Sequence, residues 1–178
     1  SRFESLIGFS NAAFYERDLL TIPDKTALTE KPQPILVNQP TDAKVFAPEI
    51  TRRPISYHYL ENGVYERRSN ISEAAYIAQL VRMLLQKEGH MSIGVVAFSM
   101  QQQGEIENAI DDLAAEDKAF EALLEEEYRR AEDNQFVGLF VKNLENVQGD
   151  ERDIIIISTC YGYNKHGKML MNFGPINK

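Results

Sequence analysis

Asn146, Gln148, Gly149 and Glu151 fall within the nine-residue tract ENVQGDERD, 145–153, directly ahead of the apolar run Ile154 to Ile157. Amide side chains both donate and accept, so they suit a base edge, a purine ring or a phosphate. Glu151 could accept a hydrogen bond from a ribose hydroxyl, and a glycine allows close backbone approach or a positive φ. A second group, Gln101, Gln102 and Gln103 in FSMQQQ (98–103), stands where a helix begins. Each group also has a plain reading, as a tight polar connection and as a solvated helix start. Other chemistries are poorly supplied. Neither GxxxxGK[ST] nor GxGxxG occurs, and His58, His90 and His166 have no carboxylate or cysteine neighbours at metal-ligand spacing. No nucleophile–base pair can be named; Cys160 reads as a core thiol, and Glu73 as a helix cap rather than a catalytic acid.

These residues need elements to hold them. Leu6, Phe9, Ala13 and Phe14 form one helical stripe over 4–16. From 21 to 54, prolines at 23, 32, 34, 40, 48 and 54 predict an irregular arm with one or two short strands. Ile55 to Leu60 reads as a strand, Glu61-Asn62-Gly63 as a turn, and Val64-Tyr65 as its returning partner. Asn70 and Glu73 have the spacing of a capping box ahead of a helix carrying Ile77, Leu80, Val81, Leu84 and Leu85, with Gly89 as its stop. Strands are predicted at Ile93 to Phe98, Phe136 to Val141 and Ile154 to Thr159. Between the first two lie acidic helices marked by Ile106, Ile110 and Leu113, then by Phe120, Leu123, Leu124 and Tyr128. Strand and helix alternate, and the strands are apolar without alternation. That pattern predicts an α/β fold, a parallel sheet with helices on both faces. Ligands of such sheets sit at the carboxyl ends of the strands, which puts the loop after Phe98 in a functional position.

The 178 residues suit one domain with a sizeable core, and 43% hydrophobic and 26% charged residues are ordinary for a globular protein. No apolar run approaches the ~20 residues that cross a bilayer, and the start does not resemble a signal peptide. One cysteine points to a reducing, cytoplasmic setting. The chain lacks an initiating methionine and reads as a piece of a longer protein. The net charge of −8 is local: residues 105–133 hold 12 acidic and 3 basic side chains, and the remainder 15 and 16. A polyanion-binding surface outside that segment is therefore not excluded by the total.

Read in order, the stretches resemble the second motor domain of superfamily 1 helicases, in the branch of the nonsense-decay and 5′→3′ enzymes. SRFESLIGFSNAAFYERDLL resembles the segment after that family's YR dipeptide. NISEA (70–74) resembles its N-R-T-E-A helix start, departing at Ile71. SIGVVAFSMQQQ resembles motif IV, I-G-I-I-T-P-Y-x-x-Q, with Gln102 on the motif glutamine. NLENVQGDERDIIIIS resembles motif V, S-V-D-A-F-Q-G-R-E-K-D-x-I-I-L-S, with Gln148, Gly149, Glu151 and Asp153 in register. MNFGPIN resembles the lead-in to motif VI. The motif's arginines, and the YR arginine, lie outside the chain.

The resemblance implies a three-layer RecA-like lobe spanning 1–178, with an irregular arm at 21–54 and an acidic helical segment at 104–133. It implies nucleotide contact by Gln148, Gly149 and Glu151, and nucleic-acid contact by Ser99, Gln102, Asn143 and Asn146. ATP and Mg²⁺ would be bound mainly by an upstream lobe of the same polypeptide, and single-stranded DNA or RNA would be the track, with no membrane involved. Two other readings stay open: a non-catalytic interaction module whose acidic helices dock a protein, and a stand-alone hydrolase.

Overall fold

The computed structural model describes residues 4–20, 33–87, 89 and 91–169. The motif VI lead-in and residues 21–32 of the arm lie outside them. In chain order the elements are α1 (Glu4–Phe14), β1 (Ile35–Val37), a 3-10 turn (Pro40–Asp42), α2 (Ala43–Arg52), β2 (His58–Leu60), α3 (Ile71–Leu85), β3 (Ile93–Ala97), α4 (Met100–Glu116), α5 (Lys118–Arg129), β4 (Ala131–Glu132), β5 (Gln135–Phe136), β6 (Phe140–Asn143), a second 3-10 turn (Leu144–Asn146) and β7 (Ile154–Ser158).

β3 is flanked by β6 and β7, both parallel to it, and β1 pairs with β2, also in parallel. The fold is α/β with parallel sheets, of the RecA-like P-loop NTPase type. The hairpin expected across Glu61–Gly63 does not form, because β2 pairs back to β1 through α2 instead. The strand expected at Phe136 to Val141 is divided: β5 closes a small antiparallel hairpin with β4, and β6 starts at Phe140.

One face of the three-stranded sheet presents Ile93, Val95, Ala97, Val141, Ile154 and Ile156 to α3 and α4. Helix α4 delivers Ile106 and Ile110, and α5 delivers Phe120 and Leu124, all buried in the same cluster. The acidic segment is thus part of the main core rather than an appendage. Helical period 3.6 separates those four residues from the exposed Glu125–Glu126 surface, while Glu127 is buried and paired with Arg130 at 3.1 Å.

The opposite face is built differently. Register aligns Phe140, Gly94 and Ile155, then Lys142, Val96 and Ile157. The Phe140 ring lies over Gly94, where a Cβ would collide with it, and the Arg152 guanidinium stacks on Phe140 at 4.9 Å. Ile155 and Ile157 are 42% and 60% exposed. The expectation of a strand buried on both faces therefore holds for β3 and fails for β7; among the described residues no helix covers these two isoleucines.

Helix α2 was hidden in the proline-rich arm. Pro40 occupies the first position of a 3-10 turn, where a missing N–H costs little. Pro48 sits inside α2 on its exposed side, while Ala43 and Ala47 pack against Tyr76 and Leu80 of α3. Tertiary burial overrides the local penalty.

Candidate functional site

Two connections leave the carboxyl edge of the sheet side by side, since Ala97 and Asn143 are register partners. The first is the β3–α4 turn. Ser99 has an extended backbone and caps α4: its Oγ accepts from the Gln102 N–H at 3.0 Å and donates to the Arg68 carbonyl at 2.6 Å. Gln102, one turn in, is fully buried. Its Oε1 accepts from the Asn70 N–H at 2.7 Å, and its Nε2 donates to Ser158 Oγ at 3.0 Å and to the Asn70 carbonyl at 3.3 Å. The expected contact between Gln102 and nucleic acid is not available in this arrangement, because every polar atom of the side chain is turned inward and paired.

The chain of bonds continues. Ser158 Oγ donates to the Glu73 carboxylate at 2.6 Å, and the Cys160 N–H donates to the same oxygen at 3.1 Å. Asn70 caps α3 as its spacing predicts, accepting from the Glu73 N–H, but Glu73 does not reach back to complete the box. It ties α3 to the end of β7 instead. Burial pushes the Glu73 carboxyl above its ordinary range, against the lowering effect of the bonds from Ser158, Cys160 and Thr159. The Cys160 thiol is pushed up to about 12, first by burial and then by Glu73, so it is an inert core group as expected.

The second connection runs from β6 to β7. Asn143 is buried, and its Oδ1 accepts from the Asn146 N–H at 3.1 Å, capping the short 3-10 turn. Its side chain is a brace, not an open contact; Asn146 is exposed. Val147 to Asp150 then form a β-turn closed by Asp150 N–H to Val147 C=O at 3.1 Å, with Gly149 at φ +87°. A turn with positive φ at its third residue asks for glycine there. Gln148, Gly149 and Glu151 are all exposed. Gly149 has nothing within 4 Å of where a Cβ would stand, so its backbone is open to a ligand.

The turn is fastened at both ends, by Asp150 and Arg152, which sequence reasoning passed over, and by Asp153, which it placed in the motif without a role. Asp150 pairs with Lys142 Nζ at 2.6 Å. Arg152 donates to the carbonyls of Gly138 (2.9 Å) and Phe136 (3.2 Å), and Asp153 accepts from the N–H and hydroxyl of Ser92, each at 3.0 Å. The tie between Asp153 and Ser92 anchors the end of the tract at the start of β3. The signal was the density of charge in GDERD: a tract crossing a sheet face needs side chains that tie it down, here one ion pair and bonds to backbone and to Ser92. Chemically the exposed set can hydrogen-bond a ligand. Among the described residues there is no group of three or more His, Cys, Asp or Glu that could hold a metal ion, and no helix is long and apolar enough to cross a membrane.

Residues 3–172 match a protein family described as an AAA domain. The chain is 34% identical over 98% of its length to a protein of Mycoplasma pneumoniae named as a homologue of an uncharacterized ATP-dependent helicase. It is 33% identical over 97% of its length to a Mycoplasma genitalium protein named as an uncharacterized ATP-dependent helicase. The chain spans 13% of the length of each relative. No solved structure gives a significant match. With parallel sheets and the motif order described above, the chain belongs to this AAA-domain family, as the helicase-like C-terminal motor domain of superfamily 1.

Proposed function

We propose that this chain is the second motor lobe of an ATP-dependent nucleic-acid helicase, completing the ATP cleft and gripping single-stranded DNA or RNA in the cytoplasm. The observation that carries the reading is the fastened turn at Gln148–Glu151: an open glycine backbone, a free-standing amide and a carboxylate on a rigid crossover, in a chain of a helicase family. The Gly149 backbone would approach the nucleotide, with Gln148 beside it and Glu151 accepting from the sugar hydroxyl. Asn146 would contact the sugar–phosphate chain, and the β3–α4 turn, shaped by Ser99, would lie alongside. Asn143 and Gln102 hold these parts in place. ATP is the substrate. The upstream lobe would supply the phosphate-binding loop and the groups that hold Mg²⁺ and position the attacking water. Alternating grips by the two lobes would move the strand, mostly through phosphate contact and stacking and so with little regard to sequence.

The test uses the full-length protein carrying Gln148→Ala and Glu151→Ala together. Both side chains are exposed, so folding should survive. Nucleic-acid-stimulated ATP turnover is expected to fall about tenfold or more, the effect of roughly 1.4 kcal/mol in the barrier. Turnover within twofold of wild type would remove this turn from the motor's working parts.

A further inference from the structure

A tight turn at 66–69 carries two arginines that the site described above does not use. Glu66 and Ser69 exchange both backbone hydrogen bonds, at 2.9 and 3.0 Å, and Arg67 and Arg68 between them stand at φ +50° and +66°. A two-residue hairpin in that conformation asks for Asn, Asp or Gly. The β4–β5 hairpin complies, with Asp133 and Asn134 at φ +50° and +61°. Another pair at positive φ, Glu16 and Arg17, carries opposite charges. Among the described residues, the turn at 66–69 alone sets two like charges side by side in a backbone that suits neither residue. Both side chains are exposed, and among the described residues neither makes an ion pair.

The turn is fixed over the carboxyl edge of the three-stranded sheet. The Arg68 carbonyl accepts from Ser99 Oγ at 2.6 Å, just past β3, and from Cys160 Sγ at 3.9 Å, just past β7. A second turn lies beside it. The Tyr65 N–H donates to the Tyr163 carbonyl at 3.0 Å, and Lys165 Nζ pairs with Glu66 at 3.4 Å. Asn164 Oδ1 shapes this second turn by accepting from the His166 and Lys168 N–H groups, each at 3.0 Å. Segments 64–70 and 159–169 together carry Arg67, Arg68, Lys165 and Lys168 against Glu66 alone, in a chain whose net charge is −8. Since Lys165 is matched by Glu66, the surplus positive charge sits on Arg67, Arg68 and the exposed Lys168.

We propose that the Arg67–Arg68 turn, with Lys168 on the turn beside it, grips phosphates of the nucleic-acid strand. This rests on the motor reading and adds a contact outside the stretches that resemble motifs IV and V. A guanidinium presents a planar fork of donors that matches a phosphate. The charges are spread over two turns rather than gathered in one cradle, which fits a chain of phosphates and not the compact polyphosphate of a nucleotide. An unfavourable backbone persists where surrounding bonds over-determine it, and such positions cluster at ligand clamps. Ser99 then acts through the turn it holds, its hydroxyl being taken up by the Arg68 carbonyl and the Gln102 N–H. Contacts of this kind position a strand without reading its sequence.

Equilibrium binding of mixed-sequence single-stranded DNA and RNA to the full-length protein, measured without ATP over a range of salt, tests this. The double variant Arg67→Asn with Arg68→Gly supplies the residues this turn prefers, so the melting temperature should hold or rise. Its affinity should fall roughly tenfold or more at low salt. The slope of log Kd against log salt should flatten by about 1.4, at ~0.7 for each of two phosphates. A second variant, Arg67→Lys with Arg68→Lys, keeps the charge and should keep most of the slope. Unchanged affinity and slope in the first variant would overturn the inference. So would weakened ATP binding with nucleic-acid binding intact, which would assign the arginines to nucleotide phosphates. In both of those cases the wild type still binds the strand and the motor reading stands; a wild type that binds neither DNA nor RNA would overturn both.

Discussion

Gln102 shows how a residue of the right type at the right motif position can do a different job. Its carboxamide satisfies the Asn70 N–H and Ser158 Oγ at once, with no exposed surface. Replacing it with an apolar side chain leaves the buried Asn70 N–H unpaired, a penalty of ~1–3 kcal/mol, and removes one of the two bonds of Ser158 Oγ, which keeps Glu73. Gln102→Leu should therefore lower stability by about 1–3 kcal/mol in urea titration; a change under about 0.5 kcal/mol would mean the network contributes little. Glu73, next along, makes a pH prediction. Its folded-state carboxyl holds a proton more tightly than in the unfolded chain. Its stabilising effect is thus complete below the ordinary value of 4.5 and is lost as pH rises through the raised folded value. Glu73→Gln should abolish that decline. His58, whose burial lowers its pKa, tilts the opposite way, costing stability as pH falls below 6.5. It does so in both proteins, so the difference between wild type and Glu73→Gln isolates Glu73; parallel profiles would refute the assignment.

At the scale of elements, α4 and α5 carry much of the acidity and yet build the core. Removing them would take Ile106, Ile110, Phe120 and Leu124 out of the core and uncover the side chains they pack on, so deletion cannot distinguish a motor from a docking module. Charge reversal can. Glu125 and Glu126 are exposed, and Glu125 makes only a surface pair with Arg129 at 3.4 Å. Such pairs are worth under ~1 kcal/mol. The doubly reversed full-length protein, Glu125→Lys with Glu126→Lys, should keep its melting temperature and its stimulated ATP turnover within twofold. Loss of turnover with intact folding would favour a protein partner on this surface. The same elements show what sequence periodicity could and could not disclose. The helices α3, α4 and α5 and the strand β3 were legible because their apolar spacing states which side is inward. β7 was legible as a strand but not in its burial: four successive isoleucines look alike whichever face is covered. α2 was illegible because prolines mask a helix that neighbouring packing holds in place. Of the site, the glycine turn was readable from residue type, whereas the inward aim of Gln102 and Asn143 depends on partners 32 residues away and on a cap, which no local pattern records.

For the whole molecule, the proposed binding turn does not by itself make a complete reaction centre. No phosphate-binding loop of the form GxxxxGK[ST] is present in the 178 residues. The isolated chain is accordingly expected to show no ATP turnover above background in a phosphate-release assay, with or without single-stranded nucleic acid; turnover that copurifies with it would contradict the two-lobe reading. The construction of the β6–β7 crossover has a mechanical corollary. Lys142 pins Asp150, Ser92 pins Asp153, and Arg152 is wedged between the aromatic rings of Phe136 and Phe140. Little slack is left for the crest between them to flap like a gate. A ligand pressing on Gln148 would load the strands beneath it directly, as a key loads a soundboard, so a displacement of the bound molecule would become a tilt of the entire slab.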